Sequence, residues 1–351
     1  MIGNIVIGDR NICAREAPLI VAEMSGNHNQ SLNQAIGIVE AAATSGAHAL
    51  KLQTYTADTM TIDVNGDGFS VTDSNSPWYG RSLYDLYEEA HTPWEWHEAI
   101  FDRCRELGLI PISTPFDETS VEFLEQFDLP AYKVASFENT DLPLLRRIAS
   151  TGKPMIISTG MTTLTELSET IEEVRTAGCE QLVLLKCTSS YPANPSFSNL
   201  MTIPHMRQLF GTEVGLSDHT LGIGAAIAAV ALGATVIEKH FTLSRADGGV
   251  DSQFSLEPDE MASLVIESER AWNSLGEVFY APTEPEVESL VFRRSLYFVE
   301  DIESGGTITQ SHIRRIRPGL GIPPKHEEEI IGRKVRAAVK RGWPVTWELL
   351  E

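Results

Sequence analysis

Eight short apolar runs occur in the first 241 residues, and each gives way to polar or ionisable residues at its carboxyl end. They read LIVAE (19–23), ALKLQT (49–54), LIPISTPF (109–116), AYKVAS (131–136), PMIISTG (154–160), LVLLKCTSSYP (182–192), VGLSDHT (214–220) and TVIEKHF (235–241). Runs that are apolar almost throughout predict strands buried on both faces, as in a parallel sheet covered by helices. Polar residues gathered at the end of strand after strand predict a (β/α)8 TIM barrel of the α/β class, whose chemistry sits at that face.

The segments between the runs have helical spacing. SLNQAIGIVEAAATSG puts Leu32, Ile36, Val39 and Ala43 on one face and stops at Gly46. TPWEWHEAIFDRCRELG opens with Thr92 as cap, Pro93 in the first turn and Glu95 as capping-box acid, and closes at Gly108. TTLTELSETIEEVRTAG repeats the device with Thr163 and Glu166, ending at Gly178. The stretch from Thr54 to Thr92 is too long for a βα connection and reads as an unstructured lid or binding loop. Its WYGRSLYDLYEEAH portion offers aromatic and basic groups to a substrate, or else rings that only pin the loop down.

The barrel is expected over residues 1–280, finishing with a helix near 260–276. A polar linker follows over 281–291, then a small module over 292–351 with short strands and GG and PG turns. Residues 293–351 hold 11 Lys/Arg and 8 Asp/Glu, a balance of +3, which leaves −25 of the overall −22 on the rest. A basic module of this kind can dock on an acidic body, in the same chain or a partner's. The net charge argues against nucleic acid or an anionic membrane as partner and is the ordinary charge of a soluble protein.

No apolar run approaches the length that spans a membrane. The opening MIGNIVIGDR lacks a basic n-region and a long apolar core, so a signal peptide is not expected and the compartment is read as cytoplasm. Cys13, Cys104, Cys179 and Cys187 have no metal-site or disulfide spacing. Cys187 ends a strand beside the expected site but is read as a buried filler, and His28 as a residue that fixes its loop.

Candidate chemistry lies at the strand ends. Glu23 can serve as general acid or base, or bond loop amides. Lys51 and Lys133 are costly to bury without an anion or a catalytic task. They suggest a Schiff-base lysine with a helper, or a clamp for phosphate or carboxylate. Thr114, Ser136 and Ser158 supply hydroxyls for such a cradle. His219 and His240 end neighbouring strands, and two imidazoles there can hold one divalent metal with positions left open. Asp218, Glu238 and Asp251 are available to orient the rings or bind substrate. The scarcity of cysteine favours a hard or borderline ion, Mn2+ first, with Mg2+ or Co2+ also possible.

EMSGNHN, KLQT, ISTPFD, PAYKVAS, ISTGM, CTSSYP, GLSDHT, EKHF and, in the final module, RRIRPGLGI together resemble the sialic acid synthase family over the whole chain. The final module is similar to the antifreeze-like (SAF) domain of those synthases. The resemblance implies condensation of phosphoenolpyruvate with an N-acetylated amino sugar. Thr114, Lys133, Ser136, Ser158 and Ser217 would hold phosphoenolpyruvate, with Lys51 and Tyr191 near. His219 and His240 would bind the metal, and Asp251 and Glu23 would meet the sugar and manage protons. Arg317, in the RPG turn, would reach the acceptor's acyl group in a neighbouring subunit's barrel, making a domain-swapped homodimer.

The chain reads EMSGNHN where neuraminate synthases more usually read IGINHNG, and Ser189 stands where they carry Asn beside CT. Those departures point away from N-acetylmannosamine and toward 2,4-diacetamido-2,4,6-trideoxy-L-altrose, the neuraminate and legionaminate acceptors being the alternative. A Schiff-base aldolase, and a retired barrel carrying a binding module, are the readings of other kinds.

Overall fold

The structure, a computed structural model, describes residues 4–64, 66, 68–74 and 76–351. Residues 1–3, which open the segment inspected above for a signal peptide, lie outside the described residues. The chain divides into two compact units, Met1–Gly276 and Glu277–Glu351.

In the first unit eight parallel strands close into a barrel in chain order. They are β1 (Leu19–Glu23), β2 (Ala49–Thr54), β3 (Ile110–Pro115), β4 (Tyr132–Val134), β5 (Met155–Ser158), β6 (Leu182–Cys187), β7 (Glu213–Asp218) and β8 (Val236–His240). β8 pairs with both β7 and β1, which closes the ring. Successive residues of a strand face opposite sides, and the apolar residues divide accordingly. Leu19, Val21, Ala49, Ile110, Ile112, Ala131, Ile156, Val183, Leu185 and Val236 form one cluster, the barrel interior. Ile20, Ala22, Leu50, Leu52, Tyr132, Val134, Ile157, Leu184 and Ile237 belong to a second, packed with the surrounding helices.

Ile5, Ile7 and Ile12 join the interior cluster. They come from a two-stranded antiparallel hairpin, Val6–Ile7 with Arg10–Asn11, that the hydrophobic pattern did not announce. The hairpin therefore packs on the amino-terminal end of the interior, opposite the face where the polar strand ends gather.

The helices form where capping chemistry places them. Leu32–Thr44 starts at Ser31, whose hydroxyl accepts from the Gln34 amide, and Leu164–Thr176 starts at the Thr163–Glu166 capping box. Gly46, Gly108 and Gly178 follow helices with positive φ, where a side chain would be strained. One expectation fails: Thr92 caps no helix. Its buried hydroxyl faces His28 Nε2 at 3.4 Å, a 3-10 turn covers Trp94–Trp96, and the α-helix begins at His97. Nor is the β2–β3 connection unstructured, since it contains helices at Ala57–Met60 and Leu83–Ala90. No helix among the described residues is long and apolar enough to cross a membrane.

The second unit has its own core, including Leu296, Phe298, Ile308, Ile313, Val335 and Val345, around the antiparallel pair Ser295–Phe298 and Ile313–Ile316.

Candidate active site

Continuing the interior alternation toward the carboxyl end replaces aliphatic residues with chemistry. Above Val21 comes Glu23, above Ala49 come Lys51 and Gln53, and above Ile112 comes Thr114. Above Leu185 comes Cys187, and above Val236 come Glu238 and His240. The strand register pairs His240 with Glu23 and Glu23 with Lys51, so titratable groups of β8, β1 and β2 are neighbours across three adjacent strands.

Two buried lysines organise the lower level. Lys51 Nζ lies 2.6 Å from Glu23 Oε2 and donates to Thr114 Oγ1 at 3.1 Å. Lys133 Nζ donates to Ser158 Oγ at 2.7 Å and lies 3.7 Å from Glu238 Oε1, which also accepts from Ser217 Oγ at 3.0 Å. The two ammonium groups thus stand in one buried cluster, with the two carboxylates as internal counter-charges. Burial pushes Lys133 down, against the pull of Glu238. Burial pushes Glu23 up; the Lys51 ammonium opposes this and the Glu238 carboxylate adds to it. Burial would also raise Glu238, but Lys133 and Lys51 outweigh it and hold the carboxyl low.

His219 and His240 form the upper level, with ring centroids 5.3 Å apart. His219 Nδ1 faces the Thr188 carbonyl at 3.1 Å, so it carries the proton and Nε2 keeps its lone pair in the neutral ring. Burial opposes charge on His219, but the Cys187 thiol at 3.9 Å and that carbonyl favour it, for a net rise. Burial and the surrounding cations push His240 well below its ordinary value. Its Nδ1 is buried and without a hydrogen-bond partner, 3.6 Å from Asp251 Oδ2. A neutral ring with a buried, unpartnered nitrogen beside a second imidazole suits a divalent ion. Among the described residues no group of three or more His, Cys, Asp or Glu is arranged to hold one, so protein would supply two nitrogens and leave the other positions open.

The remaining acids serve unequal parts. Asp251, raised by burial, accepts from the Ser25 hydroxyl. Asp218, expected among the groups that orient the rings, faces outward instead. It meets Lys239, whose Nζ donates to Asp218 at 2.9 Å and to the Thr220 and Gly222 carbonyls at 2.6 and 2.8 Å. That fully buried lysine fixes the turn that carries His219. Ser136 Oγ accepts from the Gly160 amide at 3.1 Å. A Cβ on Gly160 would collide with the hydroxyls of Ser189 and Ser136. Tyr191 packs 4.4 Å from the His219 ring. Arg317 is exposed in the second unit, at the turn after Ile313–Ile316.

Above the cluster a cavity of about 370 Å³ is lined by Ser25, Gln53, Glu138, Ser189, Tyr191, His240 and Asp251 together with apolar residues. Three of its polar members were not among the candidates. Gln53 donates to Glu23 and to Ser25, each at 3.0 Å, and period-two counting from Lys51 would have found it. Ser25 lies two residues past Glu23. Glu138, in the turn after β4, has an unpartnered Oε2 and a carboxyl pushed up by burial to about 7.

The barrel and its ring of lysines, carboxylates and imidazoles define an enzyme class, and comparison with known proteins gives the family. The NeuB family matches residues 38–280 and the SAF domain matches residues 293–351. The chain belongs to the NeuB family, the sialic acid synthases that its motifs resemble. It is 42% identical over 323 residues to the pseudaminic acid synthase of Campylobacter jejuni, covering 92% of this chain and 94% of that protein. It is 36% identical to the N,N'-diacetyllegionaminic acid synthase of Legionella pneumophila, covering 95% of this chain and 94% of that one. Among solved structures, the N-acetylneuraminic acid synthetase of Leptospira borgpetersenii in complex with citrate matches with a TM-score of 0.73 at 28% identity, covering 82% of this chain and 95% of that one.

Proposed function

We propose that this chain is a pseudaminic acid synthase that condenses phosphoenolpyruvate with 2,4-diacetamido-2,4,6-trideoxy-L-altrose and releases phosphate. The observation that carries the reading is the joining, in one barrel mouth, of a two-lysine anion cradle and a paired imidazole site. Higher identity to a pseudaminic than to a legionaminic acid synthase selects the acceptor.

Lys51, Lys133, Thr114, Ser136, Ser158 and Ser217 bind the phosphate and carboxylate of phosphoenolpyruvate, the ammonium groups turning from their internal counter-ions to the substrate's charge. Ser189 and Tyr191 line the approach of the sugar. The methylene carbon of phosphoenolpyruvate attacks the open-chain aldehyde, forming the carbon–carbon bond. Positive charge develops at the adjacent carbon, where Glu23 and Glu238 stabilise it. Water adds there and loses a proton to a neighbouring carboxylate, Glu23 or Asp251. The remaining hydroxyl then loses its proton as the carbon–oxygen bond to phosphate breaks, which leaves the ketone, and the two protons shed by the water end on the former aldehyde oxygen and the departing phosphate. His219 and His240 would hold a divalent metal, Mn2+ in the first instance, which would supply polarisation of the aldehyde oxygen.

The +3 balance of residues 293–351 against −25 elsewhere supports a swapped homodimer in which Arg317 of one chain serves the barrel of the other. The use of phosphoenolpyruvate, a cytosolic metabolite, supports a cytoplasmic site of action.

The decisive experiment measures phosphate release with the deoxy sugar, N-acetylmannosamine and the legionaminate precursor, each with and without EDTA. Turnover should be strong with the first and lost on chelation. Strong turnover with N-acetylmannosamine alone would reject the acceptor assignment. Indifference to EDTA together with borohydride trapping would replace the metal reading with a Schiff-base lysine.

A further inference from the structure

The cavity above the cluster is polar on its floor and apolar on one wall. The floor holds Ser25, Gln53, His240 and Asp251, whereas the β2–β3 connection contributes the wall residues Val71, Trp78, Leu83 and Leu86, with Met60, Ala90 and the phenols of Tyr55 and Tyr87 around them. That connection is a built surface. The Val71 amide donates to the Arg81 carbonyl at 2.9 Å, the Gly80 amide to Val71 at 2.8 Å, and the Leu83 amide to Phe69 at 2.9 Å. Trp78 Nε1 donates to the Val250 carbonyl at 2.8 Å, one residue before Asp251. The indole packs 5.6 Å from the Tyr191 ring and 6.2 Å from Phe254. The wall is thus pinned across the mouth to the segment that carries a site acid, and the one side-chain donor among its four residues is spent on that bond. Tyr87, on the same helix as Leu83 and Leu86, and Glu138 mark the polar margin of the cavity.

We infer that Val71, Trp78, Leu83 and Leu86 form the specificity-determining surface for the deoxygenated end of the acceptor, against which its C6 methyl group packs. This rests on the acceptor proposed above. A hydroxyl at that carbon would leave water and find no partner on the wall, whereas a methyl group gains by the same burial. The acetamido groups, each with a donor and an acceptor, belong with the polar floor and margin. Because an apolar pocket discriminates only modestly against an added hydroxyl, the preference is about 10- to 100-fold.

The test compares kcat/KM for 2,4-diacetamido-2,4,6-trideoxy-L-altrose and for its 6-hydroxy counterpart, with the full chain and saturating phosphoenolpyruvate. The wild-type ratio should favour the deoxy sugar by about 10- to 100-fold. Leu83→Asn and the near-isosteric Val71→Thr should each move the ratio toward one, chiefly through KM of the deoxy sugar. Val71→Thr decides the matter if Leu83→Asn does not fold. Equal kcat/KM for the two sugars in the wild type overturns the inference while leaving the synthase assignment intact. So do variants that lower both values alike. Phosphate release with neither sugar overturns the acceptor assignment itself, and this inference with it.

Discussion

Glu238 of β8 stands between two lysines: its carboxylate lies 3.7 Å from Lys133 Nζ, and its charge also acts on Lys51. All three side chains are buried. Glu238→Gln keeps the shape and the Ser217 contact but leaves buried positive charge uncompensated. Removing one partner of a buried ion pair costs about 3 kcal/mol or more. Unfolding midpoints in urea should fall accordingly, and phosphoenolpyruvate, an anion for the same lysines, should recover part of the loss. An unchanged midpoint would mean that the lysines do not depend on this carboxylate.

His240→Ala should abolish turnover while leaving the circular dichroism spectrum intact. Calorimetry should find Mn2+ binding lost and phosphoenolpyruvate binding kept, since the imidazoles lie above the lysine cradle. Retained Mn2+ affinity would remove His240 from the ligand set.

Glu138 makes stability depend on pH. Its carboxyl is held at about 7 in the fold against an ordinary 4.5. Between those values the unfolded chain has shed a proton that the folded chain keeps, so this residue's contribution to stability falls as pH rises through the window. The loss is roughly 1–3 kcal/mol by pH 8. Glu138→Gln should therefore gain stability relative to wild type between pH 5 and pH 8. A constant difference across that range would contradict the burial of its charge.

Arg317→Ala should raise KM for the sugar more than KM for phosphoenolpyruvate, because the proposed cross-subunit contact is to the acceptor's acyl group. If both constants respond equally in steady-state assays, that contact is wrong.

Thr163→Ala removes the hydroxyl of a capping box at the start of Leu164–Thr176, away from the cluster. About 1 kcal/mol of stability should be lost, with kcat/KM unchanged. A large fall in activity would show that this helix end feeds the site.

The eight strands were legible because each is short, apolar and followed by polar residues, and the observed boundaries shift by a few residues at most. Lys51 and Lys133 stood out because burying an ammonium group demands a reason that a sequence alone can raise. The amino-terminal hairpin was not legible, since two-residue strands carry no period. Glu138 was missed for a different cause, its neighbours in space coming from other connections, and the Trp78–His91 portion was read for its aromatic and basic groups rather than for the apolar wall that Trp78, Leu83 and Leu86 form with Val71. Thr92 shows the limit of local signals, a well-formed cap pattern whose hydroxyl was taken up by His28, 64 residues away in sequence.

The hairpin isoleucines pack into a barrel interior already filled by aliphatic side chains, so among the described residues the polar mouth is the way to the lysines. Both reactants must then pass the same rim, and both products must leave by it. On the proposed chemistry the phosphorylated reactant lies deepest, against the lysines, and the sugar lies above it beneath Trp78. A sugar that arrived first would stand in the doorway, so the shape of the molecule imposes an order of loading that no individual catalytic group requires.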